Sequence, residues 1–243
     1  MKHKKHVLFI LFAWFIQLNV SAQQTSMEEV NEWYQKKTNN TYFRDMSPVF
    51  YSSKDEDCSY IGVWGENCQK INIRLDTVFR DGGETYHVGG YTLLKNRTDE
   101  FEGYIKVQHF NLLYMSSPYI VMAVAGSYHF TEKNNHWEFQ GKFIRHFAQY
   151  IKSEKISTKN NKLGEIRDGF AGVWVDKTNN KTYDCFFGFH RYPQSLTDFD
   201  AHGGVSLMRP KYKNYGWESY YNLEKEKYGG YLNVECGNKW WEE

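Results

Sequence analysis

Several of the usual announcements of function are missing from this chain. No Cys-x-x-Cys pair occurs, so its four cysteines lack the ligand spacing of a structural zinc site. No Gly-x-Ser-x-Gly sets a serine on a nucleophile elbow, and no Gly-x-Gly-x-x-Gly or phosphate loop is present to cradle a nucleotide. Neither sign of charge is in excess, which removes the electrostatic footprint of a nucleic-acid binder. Only four prolines occur, and the mean hydropathy of −0.71 excludes a large aliphatic core. After the first 16 residues, no stretch is apolar enough to span a bilayer.

Aromatic residues are abundant instead. They make up 18% of the chain, as 19 Tyr, 17 Phe and 8 Trp, and they favour strands because large rings pack well on a half-buried pleated surface. The core is therefore expected to be thin and aromatic.

The N-terminus reads as an export signal. Lys2, Lys4 and Lys5 form a basic start, Val7 to Ile16 an apolar run, and Val20-Ser21-Ala22 the small-x-small site that signal peptidase needs. No cysteine follows directly, which argues against a lipid anchor. Losing those three lysines lowers the 30 basic residues to 27 against 29 acids, a net charge near −2. The expected location is secreted or periplasmic. Cys58, Cys68, Cys185 and Cys236 then read as disulfide cysteines. Of three pairings, Cys58 with Cys68 and Cys185 with Cys236 is preferred, because each stays within one half of the chain.

Residues 23–57 are expected to hold a short helix and a connection. Ser26-x-x-Glu29 is a capping box, and Met27, Val30 and Trp33 or Tyr34 recur at helical spacing. A brief strand is expected at Val49-Phe50-Tyr51. Residues 58–148 read as a meander of hairpins. Tyr60 to Trp64 opens it, Ile71, Ile73 and Leu75 alternate with polar neighbours, and Asp81-Gly82-Gly83 turns the chain. Strands follow at Tyr86 to Lys95, Phe101 to His109, Pro118 to Phe130 and His136 to Phe147. The polar residues 149–168 read as a linker, with a weak helical pattern from Phe147 to Ile156. Residues 169–243 form a second β segment, including strands at Phe170 to Val175, Tyr183 to His190 and Trp217 to Leu223. The fold expected is mainly β, an antiparallel meander closing into a barrel or two packed sheets.

Gly62-Val63-Trp64 returns as Gly172-Val173-Trp174, and two further segments repeat in the same order: Gly89 to Leu94 with Gly203 to Met208, and Glu102-Gly103-Tyr104 with Glu218-Ser219-Tyr220. Either aromatic, glycine-rich strands look alike by chance, or the chain has two related halves, as two similar β-modules or two halves of one barrel, with the glycines marking sharp bends or close strand approach and Trp64 and Trp174 buried in equivalent places. A Gly-x-Trp opening a first strand, followed by up-and-down hairpins after an export signal, also resembles the calycin group, the lipocalin-like and avidin-like barrels. That resemblance implies a barrel binding a ligand or partner. It transfers no catalytic or binding residue, and a second Gly-Val-Trp is not part of its pattern.

The strongest chemical cluster is His190, Asp198, Asp200 and His202. In an extended segment the last three share one face, where carboxylates and imidazoles hold a divalent cation or exchange protons. A polar loop whose aspartates satisfy turn amides explains the same residues. Trp137, Trp217, Tyr220 and Tyr221, if exposed, would stack on a sugar or meet a protein. His129 and His136 flank a turn across which they would meet. Asn39, Asn96 and Asn180 begin Asn-x-Thr sequons in expected turns. Taken together, the residues favour a non-enzymatic binding or interaction protein of the cell envelope or exterior, acting on a small molecule, glycan or protein, with no cofactor. A secreted hydrolase using the His/Asp cluster and an inhibitor or immunity-type protein are the alternatives.

Overall fold

Alternation along one strand shows how the chain is organised. In β3 (Thr85–Leu94), Tyr86, Val88, Gly90, Thr92 and Leu94 are buried, and the residues between them are half-exposed. One face looks into a core and the other to solvent, the period-two signature of a half-buried strand. A computed structural model describes residues 45–51, 59–116, 119–150, 156–157, 169–188, 210–218 and 240, all within one compact unit, Asp45–Glu243.

The other strands are β1 (Tyr60–Trp64), β2 (Gln69–Gly82), β4 (Arg97–Ser116), β5 (Tyr119–Glu132), β6 (Trp137–Tyr150), β7 (Ile156–Ser157), β8 (Gly169–Asp176) and β9 (Lys181–Gly188). Consecutive strands pair antiparallel from β1 to β6, then β6 with β8, β8 with β9, and β9 with β1. Eight strands thus form a closed ring, an up-and-down barrel; β7 adds only two residues to β6 at Ala148 and Gln149. Closure gives every one of the eight a partner on both sides, which removes the unpaired edges that invite aggregation.

Aromatic rings fill the barrel. Phe101, Phe130, Phe139 and Trp174 touch in series, and Phe170 and Phe187 stack at 4.6 Å beneath Tyr60 and Tyr128. Six strands also carry a glycine on the inner face. Gly141 and Gly172 lie opposite one another in the β6–β8 pairing. A methyl group on either would come within 2.1 Å of a carbonyl oxygen of the neighbouring strand. The backbones bend inward there, and only glycine leaves room for that curvature.

One end of the barrel is corked by the chain itself. Ser47–Phe50 is a single helical turn, α1, with Pro48 in its first positions, where the missing N–H costs nothing. Val49 and Phe50 are fully buried, with the Phe50 ring against Tyr86 and Phe143. Barrel side chains bond the backbone of this segment. Arg145 Nε and Nη2 donate to Val49 O (3.2 and 3.0 Å), Tyr60 O–H donates to Phe50 O (2.9 Å), and Met46 N–H donates to Tyr86 Oη (3.0 Å). The aromatic run at 49–51 is therefore helical turn and cork rather than the expected strand. Tyr60→Phe keeps the ring and removes the bond to Phe50 O, so a loss of about 1 kcal/mol in urea unfolding is expected; no loss would mean that this bond does not help to hold the cork.

Other expectations are corrected as well. β4 runs to 20 residues with register shifts at Val107/His109 and Leu112/Tyr114, and β6 continues as strand to Tyr150 where a helical pattern was read. The described parts of residues 58–148 and 169–243 contribute six and two strands to one ring, so they build a single sheet rather than two matching modules. Trp217 is not on a strand: it follows a 3-10 helix, Pro210–Tyr215. Trp217 is fully buried on Val63, Cys68 and Tyr212 outside β1, and its indole N–H donates to Cys68 O (2.7 Å). Cys185 faces the barrel interior as a buried free thiol whose pKa is pushed up by burial, so it is not bonded to Cys236. Cys58 and Cys236, the export signal, the 23–38 helix and the 203–208 repeat lie outside the described residues.

Candidate functional site

Opposite the cork, four short turns close the hairpins β1–β2, β3–β4, β5–β6 and β8–β9. Each contains one non-glycine residue with a left-handed backbone: Cys68, Lys95, Asn135 and Asn180. Such residues let the chain reverse within two to four positions. Asp176 holds the last turn by accepting from Thr178 O–H (2.5 Å), Thr178 N–H (2.9 Å) and Asn179 Nδ2 (2.6 Å), bonds that pull its pKa down.

Because these turns are short, the last inward-facing residues of several strands meet at this end. Trp64 ends β1, Trp137 begins β6, Trp174 stands near the end of β8 and Tyr183 near the start of β9. Their rings gather into one cluster: Trp64–Tyr183 at 4.5 Å, Trp137–Trp174 at 5.4 Å, Trp64–Trp174 at 6.2 Å and Trp64–Trp137 at 6.3 Å. The three indoles are near-perpendicular to one another, at 72° to 84°. Trp174 is fully buried, and the other three rings are half-exposed. The indole nitrogens of Trp64 and Trp174 are buried and have no hydrogen-bond acceptor. An unsatisfied buried donor costs about 1–3 kcal/mol; Tyr128 Oη in the core is also without a partner, and at this end two such donors lie in one cluster.

Beside the indoles sits a charged group. Arg97 is half-exposed and holds its guanidinium 5.6 Å from the centre of the Trp137 ring. Its Nε pairs with Asp99 and its Nη2 with Glu132 Oε2 (3.2 Å). The Glu132 side chain has no exposed surface, and Thr92 O–H donates to its Oε1 (3.4 Å). Burial, followed by the nearby Asp99 charge, pushes the Glu132 pKa from 4.5 up to about 7; Arg97 opposes this. Asn134 Nδ2 donates to Asp99 Oδ1 (3.0 Å) and completes the rim. Aromatic faces, orphan N–H donors and a fork of carboxylates around a guanidinium thus converge on one end of the barrel.

Of the residues singled out in the sequence, Trp137 belongs to this site. Trp217 does not, because it braces the outside of β1. Tyr220, Tyr221, His190, Asp198, Asp200 and His202 lie outside the described residues. Among the described residues no group of three or more His, Cys, Asp or Glu side chains is placed to hold a metal ion. His129 does not meet His136; it bonds Glu138 across the β5–β6 hairpin, and Lys177 and His129 together hold the Glu138 pKa down. Trp64 and Trp174, expected to be buried in equivalent places, differ: Trp174 is fully buried and Trp64 only partly so. Tyr183, Arg97, Asp99 and Glu132 were missed. Each shows only alternation parity and closeness to a turn in the sequence, and those signals do not say which strands become neighbours.

The fold and this end define a closed eight-stranded antiparallel barrel with one corked and one aromatic end. Comparison with known proteins returns no match, whether with family models, curated sequences or solved structures.

Proposed function

We propose that the protein is an exported, non-enzymatic binding protein of the cell envelope or exterior, and that its tryptophan end is the binding surface. The observation that carries this reading is the pair of buried indole donors without acceptors, set beneath half-exposed rings. A barrel built only to be stable would bury such nitrogens against a carbonyl, as Trp217 does with Cys68. Concave or end-on sites that mix aromatic surface with a few convergent polar groups are the usual form of small-ligand sites. The opposite end is filled by Val49 and Phe50, so the tryptophan end is the one to which this reading assigns the ligand. Export is supported by Lys2, Lys4, Lys5, the Val7 to Ile16 run and Val20-Ser21-Ala22. The calycin resemblance points the same way, towards a barrel that holds a ligand or partner.

Tryptophans form the site, so their own emission reports occupancy. Titrating the full chain with probes of several chemistries is expected to give a saturable emission change with at least one of them. Trp137→Phe, which keeps an aromatic ring against Trp64 and Trp174, should weaken that change severalfold, with unfolding by urea checking that the fold is kept. If no probe saturates, the reading fails.

A further inference from the structure

We propose that the ligand taken by the tryptophan end is a neutral, hydroxyl-rich ring, that is, a pyranose sugar or the terminal unit of a glycan. This rests on the reading of that end as a binding surface and names the chemistry it selects. Trp64, Trp137 and Tyr183 are partly buried, each leaving some aromatic surface at this end that suits the C–H face of a sugar ring. Beside them stand planar groups with hydrogen-bonding capacity to spare. Arg97 has five N–H donors and directs one each to Asp99 and Glu132, leaving others for hydroxyl oxygens. Asp99 accepts from Arg97 and Asn134 and retains lone pairs for hydroxyl hydrogens, while the buried Glu132 accepts from Arg97 and Thr92 and holds the guanidinium in place. A sugar hydroxyl, donor and acceptor at once, matches such a mixed rim.

Other chemistries fit less well. A cationic ligand would meet the Arg97 guanidinium already lying over the Trp137 ring. An anionic ligand would meet Asp99 and an Arg97 whose charge Asp99 and the buried Glu132 already share. A purely apolar ligand would leave the Trp64 N–H without an acceptor. A sugar oxygen reaches the Trp64 N–H once that half-exposed ring tips outward, and satisfying the donor helps offset the displacement.

The test titrates the full chain, by tryptophan emission and by calorimetry, with methyl glycosides of the common hexoses and N-acetylhexosamines. Tetramethylammonium, benzoate and cyclohexanol serve as cationic, anionic and mainly apolar probes. Saturation by at least one glycoside is expected. Trp64→Phe keeps a ring but removes the N–H, and should weaken binding about tenfold, the worth of one hydrogen bond in a dry site. Arg97→Lys keeps the charge at an exposed position and removes the planar fork; it should weaken binding about fivefold or more without loss of fold. Saturation by tetramethylammonium, benzoate or cyclohexanol but by no glycoside overturns the sugar assignment and leaves the binding surface standing. Glycoside binding unmoved by both variants places the sugar elsewhere and overturns the proposal. Saturation by no probe overturns both readings together.

Discussion

Gly90→Ala is expected to lose about 3 kcal/mol of stability or more, whereas Gly89→Ala, one residue earlier, should stay within about 0.5 kcal/mol of the parent. The two glycines are neighbours on β3, and strand parity sends them to opposite faces. Gly90 faces inward, opposite the register shift between Leu75 and Thr77 in β2. A methyl group on it would lie 1.9 Å from Arg74 O and 2.9 Å from the Phe101 ring, so the backbone or the core must move. Gly89 faces outward, where a methyl group would meet Thr77 at 3.5 Å, an ordinary contact. Urea unfolding of both variants measures the difference. Failure of Gly90→Ala to fold beside a well-folded Gly89→Ala gives the same answer, and equal losses would show that strand bending does not depend on the inner glycines.

Glu132→Gln is expected to stabilise the protein at pH 8 by about 3 kcal/mol while leaving it unchanged near pH 4. The folded pKa, about 7, lies above the value of 4.5 for a free carboxyl, because the side chain is buried and Asp99 is close. Below pH 4.5 both folded and unfolded chains carry the proton, and the group contributes nothing to stability. Between pH 4.5 and about 7 the unfolded chain releases its proton first, so stability falls as pH rises. Above about 7 the loss is complete. Glutamine never ionises, so the variant should lack this slope. Unfolding midpoints across pH 4 to 8 decide the matter: parallel curves for parent and variant would mean that Arg97 fully compensates the buried charge. The same measurement bears on the site, since a carboxyl kept there at such expense is hard to explain by stability alone.

Both variants touch features that alternation in the sequence only partly reveals. Alternation at Ile71, Ile73 and Leu75 marks a half-buried strand, and in the structure those three side chains are buried in the barrel. The turns at Gly82-Gly83 and Asn179-Asn180 reverse the chain where glycine and asparagine accept a left-handed backbone. Local chemistry decides these elements, and so they are legible one segment at a time. Val49-Phe50-Tyr51 reads as strand for the same reason, since its apolar rings fit either state. It becomes a helical turn because Arg145, Tyr60 and Tyr86, distant in sequence, supply partners for its backbone.

Gly62-Val63-Trp64 and Gly172-Val173-Trp174 show where the two kinds of information part. By itself the sequence determines that each is a strand with glycine and tryptophan on one face, because residues two apart share a face. It also determines an aromatic core, since aliphatic residues are too few to build another. Which strands become neighbours is decided by ring closure, above all by the pairing of β9 with β1 across more than 100 residues of intervening chain. Closure places β9 between β1 and β8, and so brings Trp64 and Trp174 to 6.2 Å with Tyr183 beside them. The same closure brings Trp137 to the cluster, with Arg97, Asp99 and Glu132 at its edge. Parity is a property of a few successive residues. Proximity across the barrel mouth is a property of the whole sheet, and only the tertiary structure settles it.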